Sequence, residues 1–321
     1  MSPQALRLHD FEPATTLVCG QILGKLQQPA KELPDALLYS EKGSRLFEAI
    51  TQTEDYYLAR TEIAILEDAR EAMASCIGDE ALLVEYGSGS SRKTRLLLDV
   101  LPTLAGYVSI DISKEFLLAS AQKIADDYPH LEVLPVCADY EQAFVLPRPA
   151  TSFRRCVAFF PGSTIGNRRP DEARCFLQKM RLDMGLQGGL LIGVDLKKER
   201  AVLANTYNEA SPLVNSFLMS ALENLNQNFG GDLDLTQYRF RFFYDEEKGL
   251  VELCFLSLQN QTAHICGRAI TFAEGERILL QVACKYTIPQ FAALAQEAGW
   301  QVRKVWTDAQ RLFSIQYLET Q

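Results

Sequence analysis

The stretch LLVEYGSGSSRKTRLLLDVL, Leu82 to Leu101, decides how the rest of the chain is read. It opens with an apolar run broken only by Glu85, passes through a turn of Gly and Ser, and ends in an amphipathic segment. A strand covered on both faces reads as a near-continuous apolar run. Glycines between such a strand and a helix let the backbone approach a ligand at the helix start. The pattern predicts a strand over 81–86, a ligand-holding turn, and a helix over 91–101.

Working outward, the alternation continues. A helix is expected over 61–77. Strands are expected over 107–111, 131–136, 154–160 and 189–195, with helices over 112–127 and 171–184. Strands alternating with helices give a parallel sheet with right-handed crossovers. After Asp195 the rhythm changes. Residues 197–229 read as a long helical region that Pro212 breaks or kinks. Then period two takes over: in QYRFRFFYD, Tyr238, Phe240, Phe242 and Tyr244 share one face. LVELCFLSL, TAHICGRAITF and FAEGERILLQVACKY continue the series, and together they predict a small antiparallel sheet. A helix over 288–298, stopped by Gly299, and strands over 301–307 and 312–318 close the chain.

Two domains follow: 61–195 with 286–321 as the nucleotide-type α/β sheet, and 1–60 with 196–285 as an α+β accessory domain. Open α/β sheets bind ligands beyond the C-terminal strand ends. An insertion leaving the fifth strand starts where a cap over a ligand would.

Composition narrows the class. The 321 residues are 47% hydrophobic and 23% charged, ordinary values for a globular protein. A net charge of −9 without a Lys/Arg run argues against nucleic acid or an anionic membrane as partner, because phosphate binding needs clustered cations. No apolar run approaches the ~20 residues of a membrane span, and MSPQALRLHDFEP lacks the apolar core of a signal peptide. The eight cysteines are scattered, several inside apolar strands. They read as buried thiols in a reducing cytosol rather than disulfides or zinc ligands. His9, His130 and His264 lie far apart, so no metal site is expected. A cytoplasmic monomer acting on a small molecule is the expectation.

Gly87 and Gly89 fit the first two glycines of G-x-G-x-x-G, with Ser88 between them, but the third place is Arg92. In dinucleotide sites that third glycine lets helix and strand pack closely, and its absence weakens such a reading. Three acids point elsewhere. Glu85 precedes the turn, Asp111 ends the second strand where it can take a ribose diol, and Asp139-Tyr140 follow the third strand, suited to an adenine's amino group and face. The set reads as an acidic, phosphate-free pocket for S-adenosylmethionine. A generic nucleotide fold with incidental acids is the alternative. PGSTIGN, after the fourth strand, is the second informative stretch. Gly162 and Gly166 permit close backbone approach, and Asn167 can hold a carboxylate through its NH₂. The same letters also suit a turn built for its geometry, and for Asn167 both readings stand. Tyr39, Tyr56 and Tyr57 stand out upstream, although a linker tyrosine commonly just anchors its loop.

YSEKGSRLFEAIT, DYYLARTE, EYGSGSSRKTRLLLD, PGSTIGN, NTYNEA and the closing VWTD…FSIQYL resemble the histidine Nα-methyltransferases of the ergothioneine pathway, in the same order over nearly the whole chain. Fungal enzymes that N-methylate prenylated tryptophan are relatives. The resemblance implies a Rossmann-like class I methyltransferase sheet, a second α+β substrate-binding domain, and S-adenosylmethionine as co-substrate with no metal. It implies that Asn167 and Tyr207 hold an amino acid's carboxylate, that Gly162, Tyr56 and Tyr39 line the substrate pocket with Tyr39 contacting or orienting the amine, and that Gly87, Lys93, Asp111, Asp139 and Tyr140 occupy cofactor positions. The chain departs from the family in LLQVACKYT. A Glu and a Ser that hydrogen-bond the imidazole are replaced there by Gln281 and Ala283, and Leu218 stands for an Asn. A site built to hydrogen-bond a polar group loses discrimination when those groups go. The resemblance therefore implies N-methylation of a free amino acid, with histidine leading, another aromatic amino acid such as tryptophan as the alternative, and a non-catalytic binder as the rival from another class.

Overall fold

The computed structural model describes residues 6–12, 15–89 and 91–321. In chain order its first strands are β1 (His9–Phe11), β2 (Ala81–Tyr86), β3 (Gly106–Asp111), β4 (Val133–Ala138), β5 (Arg155–Phe160) and β6 (Gly189–Asp195). The inserted region adds β7 (Tyr238–Asp245), β8 (Leu250–Ser257), β9 (Gln261–Ile265), β10 (Arg268–Phe272) and β11 (Arg277–Cys284). Two more, β12 (Trp300–Thr307) and β13 (Phe313–Thr320), end the chain. The chain divides into two compact units. One comprises the residues through Glu12, Tyr57–Lys197 and Cys284–Gln321, and the other the residues between Glu12 and Tyr57 together with Lys198–Ala283.

The first unit is one eight-stranded sheet in the order β1-β4-β3-β2-β5-β6-β13-β12. Only β13 runs against its neighbours, antiparallel to both β6 and β12. Every residue of β2, β4 and β6 is buried, the burial expected of parallel strands covered on both faces. The chain steps outward from β2 to β3 and β4 on one side and to β5 and β6 on the other. This puts a topological switch point at the C-terminal ends of β2 and β5, where such sheets hold ligands.

The expected extent of the accessory domain needs correction at both ends. The N-terminal segment is not wholly part of it, because β1 pairs in parallel with β4, His9 opposite Val136 and Phe11 opposite Ala138. Three residues with no alternation carry no strand signal, and they find their place because the edge of β4 offers unpaired backbone groups. The helix expected from Thr61 begins at Tyr57 and runs to Ile77, so Tyr57 through Arg60 belong to the sheet's unit. Cys284 and Lys285 join it as well.

The second unit is built on one apolar cluster. Ile22 and Leu26 of helix Thr15–Leu26, Leu37 and Leu38, Phe217 and Leu222 of helix Pro212–Asn228, and Phe240 and Phe255 of β7 and β8 meet there. The long helical region divides as its proline dictates, into Arg200–Thr206 and Pro212–Asn228. Pro212 occupies the first turn, where its missing N–H costs nothing, and Ser211 Oγ accepts the Val214 N–H at 3.4 Å. The single small sheet expected here is two: β11-β8-β7, and a separate hairpin of β9 and β10. Cys266 and Gly267 both take positive φ between the hairpin strands, the requirement of a tight two-residue turn. That turn folds TAHICGRAITF back on itself.

Candidate active site

Backbone geometry builds the turn after β2. Gly87 takes φ +75° and Gly89 +48°. The Gly87 and Ser88 N–H groups both donate to the Ile110 carbonyl, at 2.9 and 3.0 Å, which ties the turn to the end of β3. Ser90 lies outside the described residues. Ser88 is buried, and its hydroxyl has no hydrogen-bond partner among the described residues. Natural structures rarely leave such a group unmet.

Asp111 closes β3. One of its carboxylate oxygens accepts the Gly89 N–H at 3.0 Å and the other the Ser113 N–H at 3.0 Å. Burial raises its carboxyl above the usual range, against the pull of these backbone donors. Asp139 and Tyr140 follow β4. Asp139 accepts the Glu141 N–H at 2.9 Å. The Tyr140 ring lies among Tyr86, Phe160 and Phe176, with centroids 5.8 to 6.2 Å away. A Cβ on Gly87 would stand 3.8 Å from the Tyr140 ring edge. Gly87, Ser88, Gly89, Asp111, Asp139 and Tyr140 are thus gathered at the C-terminal ends of three adjacent strands.

Glu85 is engaged elsewhere. It is 1% exposed, and its carboxylate accepts from Thr94 Oγ1 at 2.6 Å and from the Tyr107 hydroxyl. It fastens β2 to the helix Arg92–Leu98. Burial pushes its carboxyl up to about 7, with the two hydroxyl donors and nearby Lys93 acting in the opposite direction. The reading of Glu85 as a pocket acid is corrected: a charged residue inside an apolar strand turns toward whatever donors the fold supplies.

Lys93 points to a residue that sequence reasoning missed. Its Nζ lies 2.5 Å from the Glu62 carboxylate. Glu62, 1% exposed, also accepts the Gly162 N–H at 2.9 Å. The signal was present in the helix: Leu58, Glu62, Ile65 and Ala69 form one buried stripe at helical spacing, and a carboxylate on such a face needs a partner.

The PGSTIGN loop leaves β5 with Gly162 at φ +78° and Ser163 at +58°, and TIGN forms one turn of 3₁₀ helix, Thr164–Asn167. Gly166 passes so close to the Cys284 carbonyl that a Cβ would stand 2.7 Å from it. Ser163 Oγ accepts the Asp195 N–H at 2.9 Å. Asp195, fully buried, accepts from the Tyr57 hydroxyl at 2.8 Å and pairs with Lys285 at 2.7 Å. Tyr57 is therefore an anchor, as a linker tyrosine often is. Asn167 ends the turn half-buried. The next residue, Arg168, lays its guanidinium 4.0 Å over Phe176 and donates to the Thr164 carbonyl at 3.1 Å and to Glu141. One arginine thus joins the Asn167 turn to the Tyr140 corner.

The remaining candidates lie in the second unit. Phe47 stands edge-on to Tyr39 and Tyr56, centroids 6.4 and 5.8 Å away, and packs on Phe217 at 5.4 Å. Tyr207 stacks on Phe242 at 5.5 Å. Gln281 is half-buried on β11, and Ala283 packs into the apolar cluster. Leu218 is 1% exposed in that same cluster, where its side chain fills core space.

Among the described residues no group of three or more His, Cys, Asp or Glu is placed to hold a metal ion. No described helix is long and apolar enough to cross a membrane. Residues 18–320 match the model of a family described as histidine-specific methyltransferase, SAM-dependent. Over 283 residues the chain is 31% identical to histidine N-alpha-methyltransferase of Mycolicibacterium smegmatis, covering 87% of each chain. Over 290 residues it is 32% identical to the protein of the same name from Mycobacterium tuberculosis, covering 88% of each. Among solved structures, a 1,6-didemethyltoxoflavin-N1-methyltransferase of Burkholderia thailandensis aligns with a TM-score of 0.45 at 11% identity, over 86% of this chain and 87% of that one.

Proposed function

This chain belongs to the histidine-specific, SAM-dependent methyltransferase family, and we propose that it methylates the α-amino group of free L-histidine with the residues gathered above. It is a SAM-dependent N-methyltransferase with a class I methyltransferase fold. The observation that carries the site reading is the adjacency within one sheet. The Gly87–Gly89 turn, Asp111 and Asp139-Tyr140 close β2, β3 and β4, and the Asn167 turn closes β5 beside them.

The donor site fits its expected occupant. Asp111 offers carboxylate oxygens to a ribose diol, Asp139 and Tyr140 offer an acid and a ring face to an adenine, and the Ser88 hydroxyl has no partner among the described residues. S-adenosylmethionine supplies an electrophilic methyl group there. Asn167 donates its NH₂ to the amino acid's carboxylate; in the second unit, the resemblance gives Tyr207 a carboxylate-holding role. Tyr39 and Tyr56 line the acceptor's pocket, Tyr39 orienting the amine. The amine attacks in its neutral form, in line with the methyl carbon and sulfur, and its proton leaves to water. Holding two reactants in that line can contribute up to roughly 7–11 kcal/mol, so these residues act by orientation and need neither a metal nor a covalent nucleophile. We place the protein in a reducing cytoplasm, as a monomer with small-molecule partners, since eight unpaired cysteines suit that compartment.

A second reading keeps the reaction and changes the side chain. On the resemblance, Ala283 stands for a hydroxyl and Gln281 for a carboxylate of the family, and such a change suits an acceptor with a less polar ring. Incubating the enzyme with labelled donor and each of the twenty amino acids separates the two. Turnover of histidine is expected. Turnover of tryptophan with none of histidine transfers the assignment to the second reading. Binding of S-adenosylhomocysteine without any turnover defeats both.

A further inference from the structure

Glu62 has no part in the scheme above, yet it touches both halves of it. Its carboxylate is buried on the inner stripe of helix Tyr57–Ile77. It takes the N–H of Gly162, where the chain leaves β5 toward Asn167, and the ammonium of Lys93, in the first turn of the helix after the donor turn. The fourth wall is Gly193 of β6. A Cβ there would stand 2.2 Å from Glu62 Oε1, so among Leu190, Leu191, Ile192 and Val194 the strand admits glycine where the carboxylate needs room. Glycine inside a strand marks such close approach. An amide could accept the Gly162 N–H alone. A buried carboxylate is costly unless paired, so the charge at this position serves Lys93.

We propose that Glu62 is a positioning residue for methyl transfer. One buried carboxylate clamps the Gly162–Asn167 loop to Lys93 and so fixes the spacing between the amino-acid loop and the donor turn. The proposal rests on the reading that Lys93 belongs to the donor site and Asn167 to the acceptor site. Displacements of about 1 Å between reacting groups can cost a hundredfold in rate, so loosening the clamp acts on alignment rather than on occupancy.

The test uses the full chain with Glu62→Gln, which keeps an acceptor for Gly162 and removes the charge, and Gly193→Ala, which keeps every charged group and crowds the carboxylate. Three readouts apply: kcat for methyl transfer, the Kd of S-adenosylhomocysteine by calorimetry, and amide exchange over residues 161–167. For each variant that melts cooperatively, kcat is expected to fall at least tenfold while Kd changes less than threefold and loop exchange speeds at least threefold. A kcat within threefold of the parent overturns the proposal, and so does a loss of S-adenosylhomocysteine affinity equal to the loss of kcat. If the unmutated chain turns over no amino acid, the proposed function fails on its own account. Loop exchange then decides for Glu62, and unchanged exchange overturns it. If Glu62→Gln does not fold, Gly193→Ala carries the same criteria.

Discussion

Glu85 shows how far one residue can depart from its reading. A carboxyl whose value rises from 4.5 to about 7 on folding binds its proton more tightly in the folded state. Its contribution to stability is therefore fully present below pH 4.5, declines as pH rises from there through 7, and is lost above. Glu85→Gln should remove that slope. The variant is expected to match the parent near pH 4.5 and to be more stable at pH 8, by up to about 3 kcal/mol, since each tenfold gain in proton affinity is worth roughly 1.4 kcal/mol. Thermal melts across that range check it; a variant less stable at pH 8 would mean that Thr94 and Tyr107 hold the carboxylate ionised. A second prediction at this scale concerns β11. Installing Gln281→Glu with Ala283→Ser should raise kcat/KM for histidine by about tenfold or more, because a site that hydrogen-bonds its substrate's polar groups discriminates strongly. An unchanged or lower value would count against the role given to these two positions.

The decisive element is the 3₁₀ turn Thr164–Asn167, since it sets where Asn167 stands. The turn is held by contacts outside itself: Ser163 to the backbone of Asp195, Gly166 against the Cys284 carbonyl, and Arg168 to Glu141 and Phe176. Gly166→Ala places a methyl group against a backbone atom that cannot swing away, so the turn must move. KM for the amino acid is expected to rise at least tenfold, with S-adenosylhomocysteine affinity changed less than threefold. Steady-state kinetics beside calorimetry distinguishes this from a general loss of fold, which would lower both together. The letters PGSTIGN showed that a close-packed turn stood here. They could not show what it packs against, because Cys284 comes more than a hundred residues later.

For the whole chain, a ligand that binds only the folded state adds RT ln(1 + [L]/Kd), about 2.7 kcal/mol at a hundredfold excess over Kd. S-adenosylhomocysteine at that excess is expected to raise the melting temperature by several degrees. If the two units melt separately, the shift should fall on the transition of the unit built on the eight-stranded sheet, which differential scanning calorimetry resolves. No shift would remove the donor assignment for Gly87, Asp111 and Tyr140.

By itself the sequence determined the parallel sheet, the glycine turn after β2 and the family, because each depends on local pattern. A strand buried on both faces records its burial in its own residues, and a turn records its backbone in its glycines. The two helices that Pro212 separates were legible for the same reason. Tertiary structure alone decided the partners. β1 joined the sheet because β4 left an open edge, and TAHICGRAITF became a hairpin apart from the other inserted strands. The buried carboxyl groups of Glu62, Glu85 and Asp195 found Lys93, Thr94 and Lys285. A charge inside an apolar run announces that it must be satisfied, but its partner is set by which distant segments the topology brings within 3 Å or so. The sequence of Leu82–Leu101 carried the shape of the turn, and only the folded chain supplied the groups that hold it.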